Sequence, residues 1–238
     1  MKVRYLIKYS KGSDIKFVGH LDLMRTIQRA IKRADLPIEY SHGFNPHMTM
    51  SIAQPLSVGV YSDGEYMDVK FSDEIPESEV KEKFNKASTN ALKIVDVVKI
   101  RNEYYPSGKK VESSMAVIEA AVYDIKIKYE NTSKLKEEME SLLKSEDWSI
   151  LKKTKKSEKI VNIKSMVKKL SYNIEDNVLK IRTAISSGSR ENLSPDLLCD
   201  YIKKNTNSVL KDSFTDIKRV EMYAIKNKKL VPLNKYFS

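Results

Sequence analysis

One cysteine, Cys199, stands in 238 residues. It excludes an internal disulfide and a cysteine-rich zinc site, so a reducing cytoplasm is the expected setting. No apolar run approaches the ~18–20 residues that a membrane span needs. The opening MKVRYLIKYSKG alternates like a short strand and lacks the pattern of a signal peptide. Missing too are the CxxxCxxC set of an iron–sulfur cluster, GxGxxG, a Walker motif and a nucleophile elbow. No cofactor and no bound metal are expected.

Basic residues are what the chain has most of. Forty-three Lys and Arg stand against 32 Asp and Glu, a net charge of +11. Residues 1–103 carry a net of +2 and residues 104–238 a net of +9. Clustered positive charge of this kind fits a polyanionic partner. At this length the chain holds one large or two small domains, each with enough core to fold without staples.

The order of elements follows from periodicity. Val3–Tyr9 alternates as a strand. Between Gly19 and Asp35 the apolar residues Leu21, Met24, Ile27, Ile31 and Ala34 recur every three or four positions, one face of a helix that Leu36-Pro37 ends. Ile38–Tyr40 and Met48–Ala53 read as extended, 65–71 as a strand, 75–87 as a helix and 92–100 as a strand. That order is the split βαβ pattern.

A second pass of the same order follows. Residues 116–129 read as a strand, and 133–145 as a helix with Ser133 as its N-cap. Residues 150–155 and 160–163 read as strands, 164–170 as a short helical insertion and 178–183 as a strand. A helix then begins at Ser194-Pro195, and 216–226 closes as a strand. The expected fold is α+β, a tandem of ferredoxin-like βαββαβ domains with antiparallel sheets. Its parts are residues 1–103 with the His/Arg motif, a linker over 104–115, and a basic domain over 116–238.

Chemistry concentrates between Phe17 and Met50. All three histidines, His20, His42 and His47, fall there, with Arg25, Arg29, Lys32 and Arg33. Arginines at successive i, i+4 positions form one stripe, and like charges so spaced repel by a few tenths of a kcal/mol. Such a stripe calls for phosphate oxygens or for acids of the fold such as Asp22, Asp35, Glu39 or Asp68. His42 and His47 flank Gly43-Phe44-Asn45-Pro46. Paired histidines are able to act as acid and base in RNA cleavage, although no helical metal spacing is present. Phe44, Tyr40 and Tyr61 offer stacking surface. In the second half, Lys152, Lys153, Lys155 and Lys156 head a lysine run bracketed by Trp148 and Tyr172, the composition of sequence-independent phosphate contact.

The segments GHLDLMR (19–25), RADLP (33–37), SHGFNPH (41–47), PLSVG (55–59) and EYMD (65–68) resemble those of the bacterial radical-SAM-linked family. These domains stand beside, or fused to, a B12-binding-type radical SAM protein, and in clostridia they often neighbour genes for an E/G-type ribonuclease and ribosomal proteins. The resemblance spans nearly the whole chain and is strongest over 17–68. It implies a radical SAM partner that would own the radical chemistry. A looser similarity, of architecture, is to the repeat-processing endoribonucleases of CRISPR systems, whose glycine-rich loop near the C-terminus is not evident here.

The expected function is therefore an RNA-binding accessory module, for tRNA or rRNA, with no DNA specificity and no membrane contact, working with a radical SAM modification enzyme. Nucleic-acid contacts are expected from Arg25, Arg29, Lys32, Arg33, His42, Phe44, Asn45, His47, Lys152, Lys153, Lys155 and Lys156. The alternatives are a metal-independent endoribonuclease using His20, His42 and His47, and a protein-interaction scaffold without RNA affinity.

Overall fold

The structure, a computed structural model, describes residues 2–100, 104, 107–153 and 158–238. The chain forms two compact units, Met1–Glu119 with Arg219–Ser238, and Ala120–Lys218. The division read from the sequence leaves the last twenty residues with the second domain; in the structure they pack with the first unit.

The first unit runs β1 (Val3–Lys11), α1 (His20–Arg33), β2 (Met50–Ile52), β3 (Val60–Phe71), α2 (Glu77–Ala87), β4 (Leu92–Ile100) and α3 (Ser114–Val117). The second runs from β5 (Ile118–Lys128) through α4 (Leu135–Lys144), β6 (Ser149–Lys153), β7 (Glu158–Asn162), β8 (Val167–Glu175), β9 (Val178–Ser186) and α5 (Pro195–Lys204). Strand β10 (Asp216–Lys226) returns the chain to the first unit, where β11 (Lys229–Pro232) and α6 (Leu233–Phe237) end it. This is a mixed α+β fold in which every strand pairing with a resolved register is antiparallel.

In the first unit β1 lies between β3 and β4, and β2 pairs with β3 through Met50↔Val69 and Ile52↔Met67. Tyr5, Ile7 and Tyr9 of β1 point to one face, where α1 and α2 bury Leu23, Ile27, Ile31, Val80 and Phe84 against them. Each such side chain contributes roughly 1.5–3 kcal/mol. The buried stripe of α1 is Leu23, Ile27, Ala30 and Ile31. Leu21, expected on that face, is 67% exposed. Ile27 and Ile31 set the phase, which brings Leu23 fully inward and Met24 partly inward one turn before Ile27 and leaves Leu21 outside.

The opposite face of the same strands carries Arg4, Leu6 and Lys8. Their register neighbours on β3 are Lys70, Asp68 and Tyr66. Gly64 sits where β3 meets β10: a Cβ there would lie 2.8 Å from the carbonyl oxygen of Val220. Only glycine permits that approach.

In the second unit β9 lies between β5 and β8. Segment 164–170, read from sequence as helix, is one 3₁₀ turn (Lys164–Met166) and then the start of β8. Val167, Leu170 and Tyr172 pair with β9, and that tertiary pairing overrides local helix propensity. Ile38 and Tyr40 make only isolated bridges, to Phe71 and Met48. Ser133 does not cap α4; its N–H donates to Asn131 Oδ1 (2.8 Å) in a turn before the helix, whose N-cap is Lys134.

Ser194 does cap α5, its hydroxyl accepting from Leu197 N–H at 3.2 Å. Ser194→Ala is expected to cost about 1 kcal/mol in urea unfolding. Trp148 fluorescence will follow it, since Trp148 is buried in the same unit. Burial pushes the Cys199 thiol on α5 up to about 12. Native protein at pH 8 is therefore expected to leave a thiol reagent untouched until it unfolds; a fast native-state reaction would contradict the packing of α5.

Candidate nucleic-acid interface

Helix α1 places its charges on the side away from the core. Arg25, Arg29, Lys32 and Arg33 are all exposed. Arg25 pairs with Asp22 at 3.0 Å, and Arg33 donates to the Ala87 carbonyl at 3.1 and 2.9 Å. Neither Arg29 nor Lys32 has an acid partner among the described residues. Of the acids that the sequence offered to this stripe, Asp68 is held by Arg4 and Glu39 by Lys2. Lys32 and Arg33 also stand in the last turn, where the helix dipole favours cations.

Residues 41–47 form a closed loop. Ser41 N–H donates to the His47 carbonyl (2.8 Å), and His47 N–H donates to Ser41 Oγ (2.9 Å). Tyr40 bridges Met48 directly below. Gly43 takes φ +125°, a conformation that side-chain-bearing residues rarely adopt. His42, Asn45 and His47 are exposed, and Phe44 at the tip is 112% exposed. His20 begins α1, half-buried, its Nδ1 without a partner.

Under this loop, on the face not covered by α1 and α2, lies a cleft of about 560 Å³. Ser41, His47 and Met48–Ser51 form one wall and Lys110–Ser113 the other, with Arg4, Asp68 and Lys70 at the floor. The floor is fully bonded. Arg4 donates to Asp68 Oδ1 from Nε (3.0 Å) and Nη2 (2.7 Å), and to the carbonyls of Val111 (3.2 Å) and Glu112 (2.7 Å). Asp68 Oδ2 accepts from Ser114 N–H (2.9 Å) and Oγ (2.6 Å). Residues 111–114 are thereby tied across the sheet.

A buried charge network braces the same unit. Lys11 is 1% exposed and donates to the carbonyls of Lys16 (3.0 Å), Val18 (3.0 Å) and Val60 (3.2 Å), fixing the approach to α1. Glu65 meets Arg219 at 3.0 Å, both side chains almost wholly buried. Burial raises Glu65 above the ordinary carboxylate range, against the pull of Arg219.

The basic run belongs to the second unit. Among the described residues, strands β6 and β7 pair only with each other. Lys152 stands opposite Lys159, and Leu151 opposite Ile160 on the other face; Ile160 is 75% exposed. The side chain of Lys153, and Lys155 and Lys156 altogether, lie outside the described residues. Trp148 is no stacking platform. It is buried, stacks on Tyr201 (5.2 Å, 17°) and donates to the carbonyls of Leu142 (3.1 Å) and Ser145 (3.2 Å).

The sequence model of a family described as "Uncharacterized protein conserved in bacteria (DUF2344)" matches residues 4–195. The chain belongs to this family. No curated protein matches the sequence. Among solved structures, a chain of "Crystal Structure of a Cbf5-Nop10-Gar1 Complex" aligns with 9% identity and TM-score 0.50 over 92% of this chain and 48% of its own. The DUF2344 chain thus spans about half the length of that protein, and the likeness bears on the fold alone. "Crystal Structure of an Unknown Protein from Galdieria sulphuraria" aligns with 9% identity over 92% of this chain and 98% of its own, at TM-score 0.26, which carries no argument.

Among the described residues of this DUF2344 chain, no helix is long and apolar enough to cross a membrane, and no three His, Cys, Asp or Glu side chains cluster as a metal site. The sequence reading passes over Arg4, Ser51, Lys70 and Lys110. A signal for the first was present: in VRYLIKY and EYMDVKF a charged residue interrupts an apolar strand, the mark of a buried partner across the ladder.

Proposed function

We propose that this chain is a cytoplasmic RNA-binding module built of two ferredoxin-like units, which presents tRNA or rRNA to a radical SAM modification enzyme. The tandem assignment draws on two facts. In the first unit two helices cover one face of a sheet ordered β4-β1-β3 with β2 on β3. In the second, β9 lies between β5 and β8, the pattern expected of a second copy. The radical SAM partner follows from the motifs of residues 17–68, and the radical chemistry is assigned to that partner.

The observation that carries the RNA reading is Phe44. A whole aromatic ring in water, on a loop closed by two hydrogen bonds, has its surface available for a base. Arg29 and Lys32 supply exposed cations in the same unit, and a base stacked on an aromatic is worth ~1–3 kcal/mol. Opposed Lys152 and Lys159 on the β6–β7 ribbon repel each other across the strands, a cost that phosphate would offset.

Phe44→Ala is expected to weaken binding of total cellular RNA by about five- to 150-fold, while its thermal unfolding stays at the wild-type temperature because the ring packs on nothing. Fluorescence anisotropy with a labelled RNA checks this; an unchanged affinity contradicts the role given to the loop. RNA cleavage that His20→Ala or His47→Ala abolishes would replace the module with a nuclease.

A further inference from the structure

We infer that the open face of the β5–β9–β8 sheet in the second unit is a seat for the sugar–phosphate backbone of single-stranded RNA, one that leaves the bases unread. The inference rests on the RNA-binding reading and gives it a second surface.

Alternation sorts these strands into two faces. Tyr123, Ile125 and Ile127 of β5 and Leu179, Ile181 and Ile185 of β9 are buried. They share their side with the helices, because the Tyr129 hydroxyl, next in that series, hydrogen-bonds Thr206 just after α5 at 2.8 Å. Asp124, Lys126 and Lys128 alternate with them on β5, and Lys180 and Arg182 on β9, so these stand on the other side. There Arg182 is 62% exposed and Lys126 54%. A depression of about 400 Å³ crosses β9 on this side, between Asp124 and Lys126 of β5 and Ser171 and Asn173 of β8.

Charge selects the ligand. Among the described residues, Lys126, Lys128, Lys169, Lys180, Arg182 and Lys218 stand on this face, against Asp124, Glu175 and Asp216. Six cations less three acids, each counted once, leave a net charge of +3. The acids are all engaged. Asp124 lies 3.7 Å from Arg182 and 3.8 Å from Lys218, Asp216 lies 3.6 Å from Lys126, and Glu175 pairs with Lys180. Lys128 and Lys169 have no acid partner among the described residues. Ion pairs this exposed are worth little, so a phosphate displaces them at small cost. Positions on one side of a strand recur every ~6.8 Å, close to the spacing of successive phosphates in an extended polynucleotide.

The neutral groups say how the strand is held. No aromatic ring of β5, β8 or β9 points this way. Tyr123 lies on the helix side, and burial together with the Glu140 carboxylate of α4 pushes the Tyr172 phenol above its ordinary value. Bases stack on rings, so contact falls to the backbone. Ser171 and Asn173 supply hydrogen-bonding groups for ribose hydroxyls. An anionic bilayer needs apolar side chains to enter it, and β5 and β9 offer only Val122, Val178 and Ala184 here.

The test uses the full chain with labelled oligouridylate and oligoadenylate, and with vesicles of phosphatidylcholine and phosphatidylserine. Wild type is compared with Lys126→Gln/Arg182→Gln and with Lys128→Gln/Lys169→Gln, the second of which disturbs no ion pair among the described residues. Both variants are expected to lose about five- to 20-fold in affinity for either oligonucleotide at about 100 mM salt. The slope of log K against log salt should become shallower by about 1.4 in each. Thermal unfolding should stay near the wild-type temperature. Wild-type RNA binding that both variants reproduce in affinity and slope overturns the inference and leaves the module standing. A loss confined to one of the two oligonucleotides means that bases are read, and overturns it as well. So does tighter wild-type binding to the vesicles than to RNA, abolished in the same variants. No wild-type binding to either oligonucleotide sinks the module itself, and this face with it.

Discussion

Arg219→Leu is expected to destabilise the protein by about 3–5 kcal/mol, a large part of the ~5–15 kcal/mol that holds a domain of this kind together. The substitution leaves Glu65 inside the first unit with its carboxylate 1% exposed and no guanidinium at 3.0 Å. It also removes the donor to the Gln54 carbonyl at 2.8 Å. Lys11 acts on Glu65 only at longer range, because its own ammonium is spent on three carbonyls. The double variant Glu65→Leu/Arg219→Leu is expected to recover most of the loss, since a buried ion pair replaced by apolar side chains is often neutral or better.

The same pair sets a pH dependence. Glu65 titrates above the ordinary carboxylate value in the folded state, so the fold binds its proton more tightly than the unfolded chain does. The stability linked to that proton is fully present below the unfolded carboxylate pKa and is lost as pH rises through the folded value. Removing Arg219 raises the folded value further. The gap between wild type and Arg219→Leu should therefore widen from pH 4.5 toward neutrality. Urea unfolding at several pH values, followed by far-UV circular dichroism because Trp148 reports the other unit, measures it. A gap that narrows toward neutral pH contradicts the assignment of Glu65 as a buried, cation-dependent carboxylate.

Most of the order of elements could be read from periodicity. The closing strand 216–226, the strand 92–100 and the capped helix at Ser194 stand where the sequence puts them. Where reading failed, the deciding contacts were distant in sequence. Residues 167–170 become strand because Ile185, Ala184 and Thr183 are there to pair with them. Leu21 is exposed because the helix turns Leu23 inward. Trp148 and Tyr201 find each other across more than fifty residues, and no local pattern announces it. The charged side chains of the candidate site divide the same way. Exposure of Arg29, Lys32 and Phe44 follows from helix phase and turn composition. The Arg4–Asp68 floor and the cleft above it arise only when β1, β3 and residues 111–114 come together.

The second large effect concerns those exposed cations. Arg29→Glu/Lys32→Glu converts two positive charges, which have no acid partner among the described residues, into two negative ones at exposed positions. Stability should move by no more than about 0.5 kcal/mol. RNA affinity should fall by about ten- to a hundred-fold at low salt, as expected when two charge-assisted contacts of roughly 1.5–3 kcal/mol each become repulsive, partly screened by solvent. Arg25→Glu, by contrast, alters a residue already paired with Asp22, and a smaller loss is expected.

The direct test of the whole account is the dependence of RNA affinity on salt, measured for wild type and for Arg29→Glu/Lys32→Glu over a range such as 50–300 mM. A module that holds RNA by its phosphates gives a linear fall of log K with log salt, with slope near −0.7 for each phosphate neutralised on a single strand. The double variant is expected to show a shallower slope by about 1.4 and a lower affinity throughout. Binding that does not respond to salt, or a variant that matches wild type in both slope and affinity, would contradict it.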